Sequence, residues 1–345
     1  MPLVKADGYG HGMIDCARIF ADQGAAAFGV AEAIEGVRLR AAGITQPILV
    51  LAGVIPCTLS TIVAAGLTPV VTDPSVLPEL SRLAGAQGIE VGLHIKLDAG
   101  MGRQGVLPAD FIDMLKAAQQ LPHLRVDGVM AHFPLSDDRQ SDNSASVLHT
   151  FLATTNVLAD CGVRKCCLHL ANSGGLFYVA GARLDMVRPG IALYGYYPDG
   201  ALGKNDAKPP LLRPAMRFVT KVIQVRTVPA GCGLGYWHLF TTARPSRIAV
   251  LPVGYEDGYL RALSNRAKVL IAGQRVPVIG RISMNLTLVD ITDLDLEVRL
   301  GDEVVLLGRQ GDEEISADEV ADWMGTISYE VLCLFGKLNE RELVE

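Results

Sequence analysis

The sequence predicts an α/β fold: a (β/α)8 TIM barrel over residues 1–200, short at its N-terminus, followed by a mainly β domain over 201–345. Up to about residue 195, short apolar β-type runs alternate with longer stretches of helical spacing, and eight strands with intervening helices imply a closed parallel barrel. A doubly wound open sheet is the runner-up. It would carry a glycine-rich first turn and an acid at the next strand end, and neither is present. After "YYPDGALGKNDAKPPLLRP", rich in Gly, Pro and polar residues, the rhythm changes to short strands separated by turn residues.

In chain order the barrel runs are "PLVK", "AAFGVA", "PILVLAG", "TPVVTD", "VGLHIKLD", "VDGVMAHF", "CCLHLANS" and "MVRPGIALYG". Between them, "SVLPELSRLAGAQG" and "PADFIDMLKAAQQLP" have helical apolar spacing and a Pro or Gly stop. Past the linker, "MRFVTKVIQVRTV", "RIAVLPVGY", "KVLIAGQRVPVIGRI", "LTLVDI" and "DEVVLLG" read as strands, with one late helix at "SADEVADWM".

Half of the 345 residues are hydrophobic, as in a globular chain with a sizeable core. A formal charge of −6 without a long Lys/Arg run leaves no footprint for nucleic acid or an anionic membrane, so small-molecule chemistry is expected. Seven cysteines without a C-x-x-C pair fit reduced thiols in a cytoplasm. The apolar runs are too short to cross a bilayer, and a signal-type leader is lacking, so a soluble cytoplasmic location is expected.

In a parallel barrel, catalytic groups come from the C-terminal ends of strands and the loops after them. Strand 1 ends at Lys5, with Tyr9 in the following loop. In strand 5 the two-residue period places His94, Lys96 and Asp98 on one face, and inward ionisable groups are costly unless paired or functional. The turn "AGMGRQG" presents Arg103, strand 6 ends in His132, strand 7 runs into "HLANSGG" with Ser173, and strand 8 holds Arg188 before Gly190. Plainer roles stand beside these: His94 and His169 as satisfied core histidines, Ser173 as a helix N-cap, Arg103 as a loop tie. No metal-ligand spacing, H-E-x-x-H or G-x-S-x-G occurs. One lysine, two arginines and a phosphate-type cradle at a barrel mouth point to a phosphorylated cofactor that a lysine holds covalently.

The blocks "VKADGYGHG", "KLDAGMGRQG", "AHF", "ANSGG", "MVRPGIALYG", "GYW", "PVGYEDGYLR", "GRISMN", "GRQGDEEIS" and "TISYEV" cover almost the whole chain, and in that order it resembles the alanine racemase family of fold-type III enzymes. The resemblance implies pyridoxal 5′-phosphate as cofactor, interconversion of L- and D-alanine, supply of D-alanine for peptidoglycan, and a head-to-tail homodimer with shared active sites. It implies that Lys5 binds the cofactor covalently. Tyr9, Ser173, Tyr329 and the backbone at Gly190 and Ile191 would hold the phosphate. Arg188 would bond the pyridine nitrogen and Arg103 the phenolic oxygen, with Lys96 matching a position that is carbamylated in many members and braces that arginine. Tyr236, from the partner, would be the second acid–base group, with His132 and Arg188 as its relay. Arg103, Tyr255 and Met284 would contact substrate, and Asp137, Arg261 and Arg281 would line the access corridor with Tyr329.

The sequence departs from the family at Asn285, where Asp is common, and at Gly235, where Ser is common. Family chains also carry about thirty more residues before the lysine block, and only "MPLV" precedes Lys5, so ladder bonds are expected to be lost and edges exposed. Alternatives are a broad-specificity or serine racemase, a pyridoxal phosphate-dependent amino-acid decarboxylase, and a binding protein inactive through truncation.

Overall fold

The structure is a computed structural model describing residues 1–200, 203, 205 and 211–344. The domain boundary expected after residue 200 therefore falls on a position, Ala201, outside the described residues. The chain forms two compact units. The first comprises Met1–Gly8, Gly12–Leu193 and residues from Tyr197 into the linker; the second comprises Tyr9–His11, Tyr194–Tyr196 and the chain beyond the linker.

In the first unit six parallel strands run in sequence order: β1 (Phe28–Val30), β2 (Ile48–Val50), β3 (Thr68–Val71), β4 (Val91–Lys96), β5 (Leu124–Met130) and β6 (Cys167–His169). Their Val, Ile and Leu side chains fill one core with helix residues such as Leu39, Leu59, Leu80 and Phe111, as expected of strands covered by crossover helices. The first and last of the eight expected strands differ. Residues 1–4 and 185–190 are hydrogen-bonded staves without strand assignment. The Leu3 N–H donates to the Pro189 carbonyl, while Gly29 and Val4 N–H groups donate to Pro2 and Gly29 carbonyls. Asp185 and Arg188 donate in turn to the Leu168 and Ala171 carbonyls. Pro2 and Pro189 have no N–H, so a continuous ladder cannot form there. Against expectation, Met1–Val4 is bonded on both flanks, and Leu3 and Val4 are buried.

Lys5–Tyr9 is a left-handed turn in which Ala6, Asp7, Gly8 and Tyr9 have φ of 53°, 56°, 64° and 53°. Such a conformation costs roughly 1–2 kcal/mol per non-glycine residue, so neighbours must enforce it. Asp7 does so locally: its carboxylate accepts the Met13 N–H at 2.9 Å and its carbonyl the Gly12 N–H at 2.8 Å. Glu35 accepts the Ala6 N–H at 2.8 Å and the Ala31 N–H at 2.7 Å.

The second unit holds strands β7 (Phe218–Lys221), β8 (Gln224–Val228), β11 (Ser246–Leu251), β12 (Lys268–Ile271), β13 (Gln274–Ile279), β14 (Thr287–Asp290), β15 (Glu303–Gln310) and β16 (Glu313–Ile315). They form the main antiparallel sheet in the order β16–β15–β12–β13–β14–β11–β8, with β7 also paired to β15. A small hairpin, β9 (Gly233–Leu234) with β10 (Phe240–Thr241), carries Tyr236. The late helix is present as Ala317–Met324, capped by Ser316. A second one, Ser328–Leu338, is a correction to the single helix expected: its buried Val331, Leu332 and Phe335 lie at helical spacing. Gly10 and Gly336 meet closely in this unit. A Cβ on Gly10 would stand 2.2 Å from the Leu332 carbonyl oxygen, and one on Gly336 would stand 1.8 Å from that of Gly10.

Candidate active site

The strand-end residues of the first unit form a cluster of positive charge. Lys96, at the end of β4, is buried, and its amine donates to Gln104 Oε1 at 2.8 Å. Burial lowers its pKa to about 8, helped by the charges of Arg103, Arg188 and Lys5 and opposed by Asp98. The neighbour of Arg103, rather than Arg103 itself, is thus the hydrogen-bonding partner of Lys96, and Gln104 in turn donates to the Ala52 carbonyl. Arg103 is exposed on its glycine-rich bend. The bend is shaped by Asp98, whose Oδ1 accepts the Gly100 and Gly102 N–H groups, each at 3.0 Å.

His132 lies under the same charges. Burial pushes its pKa down to about 3, reinforced by Arg188, Arg103, Lys96 and Lys5, so the ring is neutral and can accept. Arg188 is wholly buried, with its pKa lowered to about 10 by desolvation. Its Nη2 lies 3.3 Å from His132 Nδ1 and donates to the Ala131 and Leu170 carbonyls at 2.7 and 3.0 Å.

Ser173 is buried, and its hydroxyl oxygen accepts the Gly190 and Ala192 N–H groups at 3.0 and 3.3 Å. It is not the helix N-cap. That position is held by Asn172, whose side chain accepts the Gly175 N–H. Ile191 is buried beside Gly190. Lys5 is half-buried and opens the left-handed turn. His94 and His169, for which a core role stood beside a functional one, are bonded to each other at 2.7 Å. Gln104 is not singled out by the sequence; only its placement one residue after Arg103 could flag it.

In the second unit Tyr9 stacks on Tyr194 with ring centroids 5.0 Å apart and approaches Tyr329 at 6.1 Å. Burial, with Tyr329 and Cys333 adding to it, pushes the Tyr9 phenol well above its usual range. Tyr255 and Met284 are joined through their loops, since the Tyr255 N–H donates to Ser283 and the Glu256 N–H to Met284. The departure at Asn285 has a counterpart, because its side-chain amide donates to Glu256. Gly235 has φ 68°, a left-handed position where Ser would be strained. Tyr236 is 66 % exposed and Trp237 is 91 % exposed. Arg261 is exposed and Arg281 half-buried.

Asp137 stands apart, exposed on the loop after β5. Asp138 and Arg139 of that loop, with His149 and Tyr178, line a cavity of about 440 Å³ whose lining includes none of the converging cations. Among the described residues no group of His, Cys, Asp or Glu could hold a metal ion, and no helix is long and apolar enough to cross a membrane.

The anionic half of a phosphorylated aldehyde cofactor fits this donor set: a lysine amine, two arginines, a second lysine and backbone N–H groups converging on a buried serine. Residues 1–198 match the family model "Alanine racemase, N-terminal domain" and residues 215–343 match "Alanine racemase, C-terminal domain". The chain is 42 % identical over 335 residues to an alanine racemase of Syntrophobacter fumaroxidans, covering 97 % of this chain and 88 % of that one. Among solved structures, it is similar to alanine racemase from Bacillus anthracis with bound L-Ala-P (TM-score 0.89, 35 % identity, 97 % of this chain and 85 % of that one). It is likewise similar to alanine racemase from Bartonella henselae with covalently bound pyridoxal phosphate (TM-score 0.88, 29 % identity, 99 % and 92 % covered).

Proposed function

The chain belongs to the alanine racemase family and is an isomerase of that class; we propose that it interconverts L- and D-alanine with Lys5 and Tyr236 as opposed acid–base groups, on pyridoxal 5′-phosphate. The observation that carries this reading is the convergence of Lys5, Lys96, Arg103 and Arg188 on a neutral His132. The decarboxylase and inactive-carrier alternatives lose ground to family matches in both halves of the chain.

Bound cofactor supplies the electron sink that lets the amino acid's α-proton leave. The residues do the rest. Lys5 would anchor the cofactor and its amine would move a proton at Cα on one face; Tyr236 would do so on the other. Two bases are the simplest solution, because a proton must leave one face and another return to the opposite one. Arg188 would donate to the cofactor's ring nitrogen; a guanidinium keeps its protons, so it would leave that nitrogen unprotonated. Neutral His132, whose Nδ1 lies 3.3 Å from Arg188 Nη2, is assigned to the relay toward Tyr236. Ser173 and the backbone at Gly190 and Ile191, with Tyr9 and Tyr329, would hold the phosphate. Arg103 would serve the phenolic oxygen and the substrate carboxylate; Lys96 is the carbamylation candidate. Tyr255 and Met284 border the substrate, and Asp137, Arg261 and Arg281 the access corridor.

The exposed phenol of Tyr236, next to exposed Trp237 and Leu239, supports a homodimer in which each chain completes its partner's site. A division into domains after residue 200, a cytoplasmic location and a role in peptidoglycan supply belong to the same proposal. The test follows D-alanine formation from L-alanine by a chiral assay. Lys5→Ala is expected to lose at least about a thousandfold in kcat. Mixing Lys5→Ala with Tyr236→Phe chains should restore part of the rate, since mixed dimers contain one intact site. Full activity in Lys5→Ala would overturn the reading, and failure of the mixture to recover would remove the shared site.

A further inference from the structure

The described hydrogen bonds of Arg188 end on carbonyls and imidazoles. Its Nη1 lies 3.0 Å from His169 Nδ1, and on the far side of that ring His169 Nε2 lies 2.7 Å from His94 Nδ1. A guanidinium has donors only, so His169 Nδ1 is the acceptor and its hydrogen sits on Nε2. That hydrogen must then be donated to His94 Nδ1, which leaves the hydrogen of His94 on Nε2. One charged end thus sets the tautomers of two rings. Burial lowers the pKa of His94 to about 4, with Arg188 adding to this and Asp127 opposing, and holds that of His169 well below its usual value. Both rings are therefore neutral.

The barrel wall makes room for this chain. Gly128 of β5 is the register partner of His94 on β4, and a Cβ at 128 would stand 2.3 Å from both His94 Cε1 and Nδ1. Glycine inside a strand weakens it and commonly marks a close approach; here what approaches is the His94 ring. The two rings lie edge to face, 77° apart with centroids at 4.9 Å, so the His94 ring fixes the plane of His169 as well as its hydrogen.

We propose that His169, held in place by His94, is a positioning residue for Arg188, fixing the direction of the guanidinium while leaving its full positive charge for the group it faces. A carboxylate at position 169 would hold the guanidinium equally well but would neutralise it. An imidazole of fixed tautomer orients it without a counter-charge. The inference rests on the reading that Arg188 faces the pyridine nitrogen of the cofactor.

The test uses protein loaded with pyridoxal phosphate and compares wild type with His169→Leu, His169→Asn and His94→Leu. Asparagine can place an acceptor oxygen near the site of Nδ1; leucine cannot. Two quantities are read: the absorption band of the bound cofactor between about pH 6 and 10, and kcat against KM for alanine. His169→Leu should alter the band and lower kcat about tenfold or more with KM nearly unchanged, as loss of an orienting partner does. His169→Asn should recover most of both, and His94→Leu should fall between. A wild-type band and kcat in His169→Leu would overturn the proposal; if that variant fails to fold, His94→Leu decides by the same criterion. Borohydride reduction of loaded wild type separates the two levels. A pyridoxyl group absent from Lys5 sinks the underlying reading, whereas label on Lys5 with unaltered histidine variants sinks the positioning role alone.

Discussion

Arg188 in the first unit and Arg275 in the second are cations put to opposite uses. Arg275, on β13, donates to Glu313 at 2.6 Å, to Glu319 at 2.5 and 3.1 Å and to the Glu314 carbonyl. It ties β16 and the following helix to the sheet, and its carboxylate partners, Glu319 first, raise its pKa. Arg188 is more deeply buried, is held by carbonyls and imidazoles, and has its pKa lowered. The fold favours the charge of Arg275 and disfavours that of Arg188. The contrast agrees with the cofactor-facing role proposed for Arg188, whereas Arg275 is paired for the fold.

Replacing each arginine tests the contrast most directly. Arg188→Met should reduce racemisation by more than about a hundredfold, with relief of the buried charge offsetting part of the cost of leaving the Ala131 and Leu170 carbonyls without their donor. Racemisation near the wild-type rate, together with a loss above about 3 kcal/mol in urea unfolding, would place Arg188 with the structural cations. Acid provides the next largest effect. His132, His94 and His169 have folded-state pKa values below their unfolded value of about 6.5, so the unfolded chain binds more protons between these limits. Stability present above about pH 6.5 should therefore fall as pH drops toward 4 and then 3, the values to which His94 and His132 are lowered. Urea midpoints at about pH 7 and 5 measure this, and equal midpoints would mean the rings are charged in the native state.

In the second unit the sharper sensitivity should lie in backbone packing. Gly10→Ala, at φ 85° with its Cβ against the Leu332 carbonyl, is expected to cost about 2–4 kcal/mol. Arg275→Met should cost about 1 kcal/mol, shrinking in high salt because the site is partly exposed. Thermal unfolding with and without added salt checks both, since the glycine effect should not respond to salt.

Much of the fold was legible locally. Six of the eight barrel runs are strands, because Val, Ile and Leu runs bounded by turn residues leave little other choice. The runs at "PLVK" and "MVRPG" looked the same by composition, yet Pro2 and Pro189 remove ladder donors and leave staves. The helix at 328–338 is less legible, because its apolar period rests on Val331, Leu332 and Phe335 alone. The positions of Lys5, Lys96, Arg103, His132, Ser173 and Arg188 at strand ends and in the loops after them could be read from the sequence alone. What they bond to could not: Lys96 turns to Gln104, and the cap that was the plainer alternative for Ser173 belongs to Asn172.

The sequence by itself determined the alternation of strands and helices, the ends at which polar residues stand, and the ordered blocks that identify the family. These depend on periods of two and of 3.6 residues and on spacings within one element, which the backbone sets locally. Only the tertiary structure decided that His94 would meet His169 across 75 residues of chain and that His169 would meet Arg188 across 19. A hydrogen-bond partner is chosen by which side chains the closed barrel brings within 3 Å of each other, and no local spacing carries that information.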